Sequence, residues 1–156
     1  MNTNSIGLSI EKSAQISGLL NELLANFQIY YQNLRGIHWN IKGQSFFDLH
    51  VKFEELYNDS NLKIDLIAER ILTLEHTPLH THEDYIKVAK IRVGVNVKEA
   101  KEAIVLILDS LKELIVIERS ILQLAADASD EGTVSMMSDF IAEQEKTVWM
   151  MKAWLA

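Results

Sequence analysis

The chain has no cysteine, one proline and six glycines among 156 residues. Without cysteine there is no disulfide framework, no zinc–thiolate site and no thiol catalysis. That lack also suits a protein that handles oxidants. With 48% hydrophobic residues and so few helix breakers, low-complexity disorder is excluded. Long apolar runs are missing too. The densest, residues 103–108, falls far short of the about 20 residues a membrane span needs. Residues 1–12 hold no basic cluster ahead of an apolar stretch, so no secretory signal is read there and a cytoplasmic location is expected. Positive charge is also scarce: 15 Lys and Arg stand against 22 Asp and Glu, for a net charge of −7. A broad nucleic-acid-binding surface is therefore disfavoured.

What the chain does have is helical periodicity. Leu20, Leu23, Leu24, Phe27, Tyr30, Leu34 and Ile37 recur at three- and four-residue steps, predicting a first helix over about 10–39. Gly43 marks the turn after it. A second helix is expected over 45–74, with an apolar stripe of Leu49, Phe53, Leu56, Ile64, Ile67, Ile71 and Leu74. A long connection follows over 75–95, with Pro78 and room for a short helix near 83–90. Asn96, with Glu99 three residues on, has the chemistry of an N-cap and predicts a third helix from there to about 126. After a turn at 127–132, a fourth helix reaches Leu155, with Met137, Phe140, Ile141, Val148 and Trp149 as packing residues. No strand alternation is present. The expectation is an all-α, ferritin-like four-helix bundle with one long crossover that carries a short extra helix. Its length suits one domain over 1–156, with 1–9 as a short N-terminal tail.

The second helix carries a second stripe beside its apolar one: His50, Glu54, Tyr57, Asn61, Asp65 and Glu69, with His38 and Trp39 upstream. His50/Glu54 and Asp65/Glu69 are each spaced i,i+4, so each couple shares a helix face. His50 and Asp65 lie roughly 22 Å apart along the axis, at about 1.5 Å per residue. One straight helix cannot bring both to one ion. Two copies packed antiparallel about a two-fold axis near residue 60 can, and such a contact makes the site twice. Imidazole and carboxylate without thiolate suit iron, manganese or zinc. Glu-x-x-His, the usual spacing of di-iron sites inside one bundle, precedes none of the five histidines.

At these residues the chain resembles the Dps family of miniferritins. The likeness is carried by Leu34-Arg35-Gly36-Ile37-His38-Trp39-Asn40, by Phe46-Phe47-Asp48-Leu49-His50 and Phe53-Glu54-Glu55-Leu56-Tyr57, and by Asp65-Leu66-Ile67-Ala68-Glu69-Arg70-Ile71. Pro78, Thr81 and the run Glu145-Lys146-Thr147-Val148-Trp149-Met150 extend it along the chain. The resemblance implies a hollow homododecamer that oxidises Fe(II), preferably with hydrogen peroxide, and stores Fe(III) as mineral. It implies a di-iron ferroxidase centre shared between two subunits, with His38 and His50 from one and Asp65 and Glu69 from its neighbour. Glu54 matches an acidic position near the second iron, and Trp39 an aromatic sink for stray oxidising equivalents. Glu145 matches one acid of the family's iron-entry pore. Ser135 stands where an aspartate is common, leaving Asp139 or Glu143 as substitutes. Glu75-His76-Thr77 precedes Pro78 where the family often has Gly-Gly.

The competing expectation is a DNA-coating nucleoid protein with weak or no ferroxidase activity. A polyanion needs cationic contacts. Residues 1–12 contain a single lysine and a glutamate, so DNA binding is expected to be weak or absent. A non-catalytic bundle that keeps the ligands without the activity is a third alternative. His76, His80 and His82 are read as exposed loop residues before an extra metal site.

Overall fold

The computed structural model describes residues 2–156; Met1 lies outside the described residues. Five helices follow in order: α1 (Ile10–Asn40), α2 (Phe46–Thr73), α3 (His82–Val88), α4 (Ala100–Asp127) and α5 (Glu131–Leu155). Ser9 starts α1 by accepting the Lys12 amide on its side chain. The buried face of α1 is the expected stripe, Leu20, Leu23, Leu24, Phe27, Tyr30, Leu34 and Ile37, with Ile16 added. Gly43, at φ 112°, turns the chain directly back into α2. α4 and α5 form a second hairpin. Asp130 accepts the Thr133 amide there and caps α5. The four long helices close over one core in which Phe27 meets both Tyr30 and Phe140 edge-on. The expected all-α bundle with a single long crossover is what the structure has.

The crossover is held by α1. Asn26 accepts the Lys90 and Ile91 amides on its side-chain oxygen, and Asn33 accepts the Gly94 amide while donating to the Arg92 carbonyl. Gly94 packs so tightly that an added Cβ would sit 2.6 Å from Leu106 Cδ2. This anchoring shifts the start of α4. Asn96 does not cap it; Asn96 takes φ 55°, Val97 is buried, and the helix begins at Ala100 after Glu99. Asparagine tolerates that left-handed backbone, so the residue that reads as a cap serves as a turn. The short extra helix is present as α3, capped by Thr81.

The described part of the segment expected as a tail folds back on the body. Thr3 bridges to Ser9, Asn4 is buried and accepts the Ile6 and Leu8 amides, and the Ser5 amide donates to Glu75 Oε1 at 2.9 Å. Lys12 donates to the Asp127 carbonyl. Among the described residues no helix is long and apolar enough to cross a membrane.

Candidate metal centre

The short turn between α1 and α2 sets the last turn of one helix against the first of the other, and His38 meets His50 there. Their rings stack at 3.8 Å between centroids, 12° from parallel. His38 Nδ1 donates to the His50 carbonyl, and His50 Nδ1 donates to the His38 carbonyl, both at 2.7 Å. A carbonyl only accepts, so each Nδ1 carries the hydrogen. In neutral imidazole that leaves the lone pair on Nε2 of both rings. Each residue thus fixes the tautomer and tilt of the other, the role a backbone carbonyl plays behind a metal-bound histidine. Phe46 stacks on the outer side of His50, at 4.9 Å. His38 is buried and His50 half-buried.

Glu54 lies one turn beyond His50 and is exposed. Tyr57 donates its hydroxyl to Glu54 Oε1 at 3.2 Å, and its ring meets His38 edge-on at 5.3 Å. Desolvation and then the bond to Glu54 raise the Tyr57 phenol above its ordinary range. Tyr31 stands edge-on to Tyr57 at 6.0 Å. Arg35 sits over the rings of both Tyr31, at 5.4 Å, and Trp39, at 4.9 Å. Trp39 itself is exposed.

Asp65 and Glu69 are not brought to this pair. α2 runs unbroken from Phe46 to Thr73, so Asp65 stays roughly 22 Å along the axis from His50, at about 1.5 Å per residue. Both carboxylates are exposed, and among the described residues neither side chain has a hydrogen bond or ion pair. The basic neighbours that could have claimed Glu69 are engaged elsewhere. Arg70 donates to Asp130 Oδ1 at 2.5 Å and to Thr133 Oγ1 at 2.9 Å. Lys63 is bonded to Asp59 and Glu143. Exposed apolar side chains flank the carboxylates on α2: Leu62, Leu66 and Leu72. Among the described residues no three His, Asp or Glu side chains of one chain surround a point where an ion could sit.

The loop histidines do not cluster among the described residues. His80 donates to the Pro78 carbonyl and His82 stands edge-on to Tyr85. Glu145 is paired with Arg119 at 2.8 Å. Asp139, Glu143 and Ser135 line a groove of about 580 Å³ between α2 and α5, together with Glu69. Several buried charged residues escaped the sequence reading, Lys63 and Glu118 among them. Lys63 is only 4% exposed, with its ammonium over the Phe140 ring. Glu118 is fully buried and accepts from Gln144 at 2.7 Å, with its second oxygen unpartnered. Burial pushes its carboxyl up to about 8. The signal was available for Glu118: it continues the stripe of Leu111, Leu114 and Ile121 at helical spacing.

A family model described as a ferritin-like domain matches residues 17–156. Together with the bundle and its single crossover, this defines a ferritin-like protein. The chain is 48% identical to the Dps protein of Vibrio cholerae O1, described as a member of the ferritin-like diiron-carboxylate superfamily; the two superpose with a TM-score of 0.98, over 100% of this chain and 98% of that one. The DNA protection during starvation protein of Porphyromonas gingivalis is 41% identical over 148 residues, 95% of this chain and 93% of its own. An uncharacterised Haemophilus influenzae protein is 50% identical over 153 residues, 98% and 96% of the respective chains. This chain belongs to the Dps family.

Proposed function

We propose that the protein is a ferroxidase and iron store that uses hydrogen peroxide. Fe(II), its substrate, is oxidised at centres built by two copies of the chain. One copy provides His38 and His50, with Glu54 beside them; the neighbour provides Asp65 and Glu69. Fe(III) is kept as mineral inside a homododecameric shell. The observation that carries this is the reciprocal lock of His38 and His50, which holds both Nε2 lone pairs ready for an ion. Two further facts support the division between copies. Among the described residues the Asp65 and Glu69 side chains have no partner, and the α2 face that bears them is edged with exposed leucines. Such a face is a contact surface in a soluble protein. An antiparallel neighbour covers it and sets residue 65 beside residue 50.

The chemistry follows from the donors. Neutral imidazole accepts Fe(II) without a proton to displace, and the carboxylates favour the higher charge of Fe(III). Two irons side by side give peroxide both its electrons together, and no hydroxyl radical is released. Iron, manganese and zinc all fit these donors, so the substrate is decided by assay. Anaerobic Fe(II) loading followed by one equivalent of peroxide tests the proposal. Fast ferric absorbance without radical, lost in Asp65→Ala/Glu69→Ala, is expected. Equal rates in both proteins would overturn it.

The names of relatives such as the Porphyromonas gingivalis protein favour a second function, DNA protection by coating. The net charge of −7 and the folded-back segment before α1 oppose direct binding. No tight complex is expected in a gel shift at about physiological salt.

A further inference from the structure

Deep between α4 and α5 one hydrogen bond joins two groups that each leave an oxygen over. Glu118 is fully buried, and its Oε1 accepts from Gln144 Nε2 at 2.7 Å. Among the described residues its Oε2 and Gln144 Oε1 are both buried without a partner. Were Glu118 a carboxylate, both leftover oxygens would be acceptors closed off from water and facing no donor. Each would carry the cost of an unsatisfied buried group, and one would share a full charge. A single proton removes both deficits. A carboxylic acid has one O–H to donate, and an amide oxygen accepts. A proton on Glu118 Oε2 gives Gln144 Oε1 its missing donor, and acid and amide then face each other through two bonds.

The surroundings leave that proton in place. Lys63 on α2 draws toward the carboxylate form, but its ammonium is already bonded to Asp59 and Glu143. Arg119 on α4 is paired with Glu145. Tyr30 faces Glu118 from α1, and burial holds its phenol neutral, far above its ordinary range. Desolvation therefore outweighs both cations. Position makes the pair a fastening. Three successive residues tie α5 to the bundle: Glu143 to Lys63 on α2 at 2.6 Å, Gln144 to Glu118 at 2.7 Å and Glu145 to Arg119 at 2.8 Å, the last two on α4. The Arg119–Glu145 pair is exposed, so salt screens it; the pair beneath it is dry.

We infer that Glu118 is a neutral carboxylic acid that donates from Oε2 to Gln144 Oε1, and that this doubly bonded acid–amide pair is a proton-held clasp between α4 and α5. Losing the proton sets a carboxylate oxygen and an amide oxygen together with no hydrogen between them, which favours opening to solvent. Asp139 and Glu143 on α5 line the groove that Glu69 shares, so the clasp also fixes one wall of that groove.

All tests use the iron-free protein, so their outcome does not depend on the ferroxidase function. Infrared spectra at neutral pH read the carbonyl stretch of a protonated carboxylic acid, because ordinary side-chain carboxyls are ionised there. One such band is expected in wild type. Glu118→Gln should lack it, and Gln144→Leu should move it to higher frequency, as a carbonyl freed from a hydrogen bond does. No band in wild type, or an unmoved band in Gln144→Leu, overturns the inference. Should Gln144→Leu misfold, wild type alone decides by nuclear magnetic resonance of carbon-labelled glutamate. One carboxyl carbon should titrate near about 8, and every glutamate titrating near the ordinary 4.5 would overturn the inference. Hydrogen exchange reads the clasp itself. Opening lets Glu118 release its proton, so the opening equilibrium of the α4 and α5 amides, relative to Glu118→Gln, should rise by up to about tenfold per pH unit between 4.5 and about 8 and level off above. Glutamine at 118 keeps both bonds with no proton to lose. Identical pH profiles in the two proteins would overturn the clasp.

Discussion

Near its start α2 presents His50 bonded to its counterpart on α1; in its second half it presents Asp65 and Glu69, whose side chains have no partner among the described residues. The contrast follows from what each ligand type requires. An imidazole has one nitrogen to offer, and which one depends on the hydrogen bond at the other. It must be oriented before an ion arrives. A carboxylate offers two oxygens and about four lone-pair directions, so it needs only to be placed. The fold orients the rings through the α1–α2 turn and places the acids through backbone alone. Below the acids, Arg70 ties α2 to the N-terminus of α5 through Asp130 and Thr133.

The largest effect should come from breaking either end. Either His38→Ala/His50→Ala or Asp65→Ala/Glu69→Ala should lower iron-dependent peroxide consumption by about 100-fold or more, a loss at or beyond that of a supporting residue. The acid variant should keep its stability within about 0.5 kcal/mol, since both side chains are exposed. Co-assembling the two variants sharpens the comparison. At each mixed two-fold contact one site is intact and one has lost both halves, so random mixing should restore about a quarter of wild-type activity. No recovery would place both ends in separate sites.

Next comes the anchor beneath the acids. Arg70→Ala leaves Asp130 buried without its cation and should cost about 3–5 kcal/mol in chemical denaturation. Glu118, deep between the helices, gives a smaller and pH-dependent effect. Its carboxyl is raised to about 8 from an ordinary 4.5, so between those values the folded chain holds a proton that the unfolded chain releases. Unfolding free energy should therefore fall as pH rises through that window. Glu118→Gln should remove this slope and be the more stable protein at pH 8, as measured by thermal melts. The smallest effect belongs beside the ring end. Glu55 pairs with Lys52 on the exposed surface at 2.7 Å, so Glu55→Ala should change stability by no more than about 1 kcal/mol.

Periodicity made the four long helices and the crossover legible, because each buries a continuous stripe. The i,i+4 couples on α2 were legible for the same reason, as was the impossibility of joining them in one chain. The reciprocal bonds of His38 and His50 were not. They depend on the length of the turn at Gly43, which sets residue 38 level with residue 50. Asn96 misled because its side chain suits a cap and a left-handed turn equally; Asn33, sixty-odd residues earlier, decides between them through Gly94. Lys63 reads as a surface lysine until Asp59 and Glu143 close over it.

The two asparagines of α1 also determine how the molecule comes apart. A connection from Leu74 to Glu99 would ordinarily open by itself, ahead of the body. Here the amides of Lys90, Ile91 and Gly94 end on side chains buried in the middle of α1. They can reach solvent only when α1 lets go. In hydrogen exchange the crossover should therefore keep time with the core, and the slowest-looking loop in the chain is, in cooperative terms, a piece of its first helix.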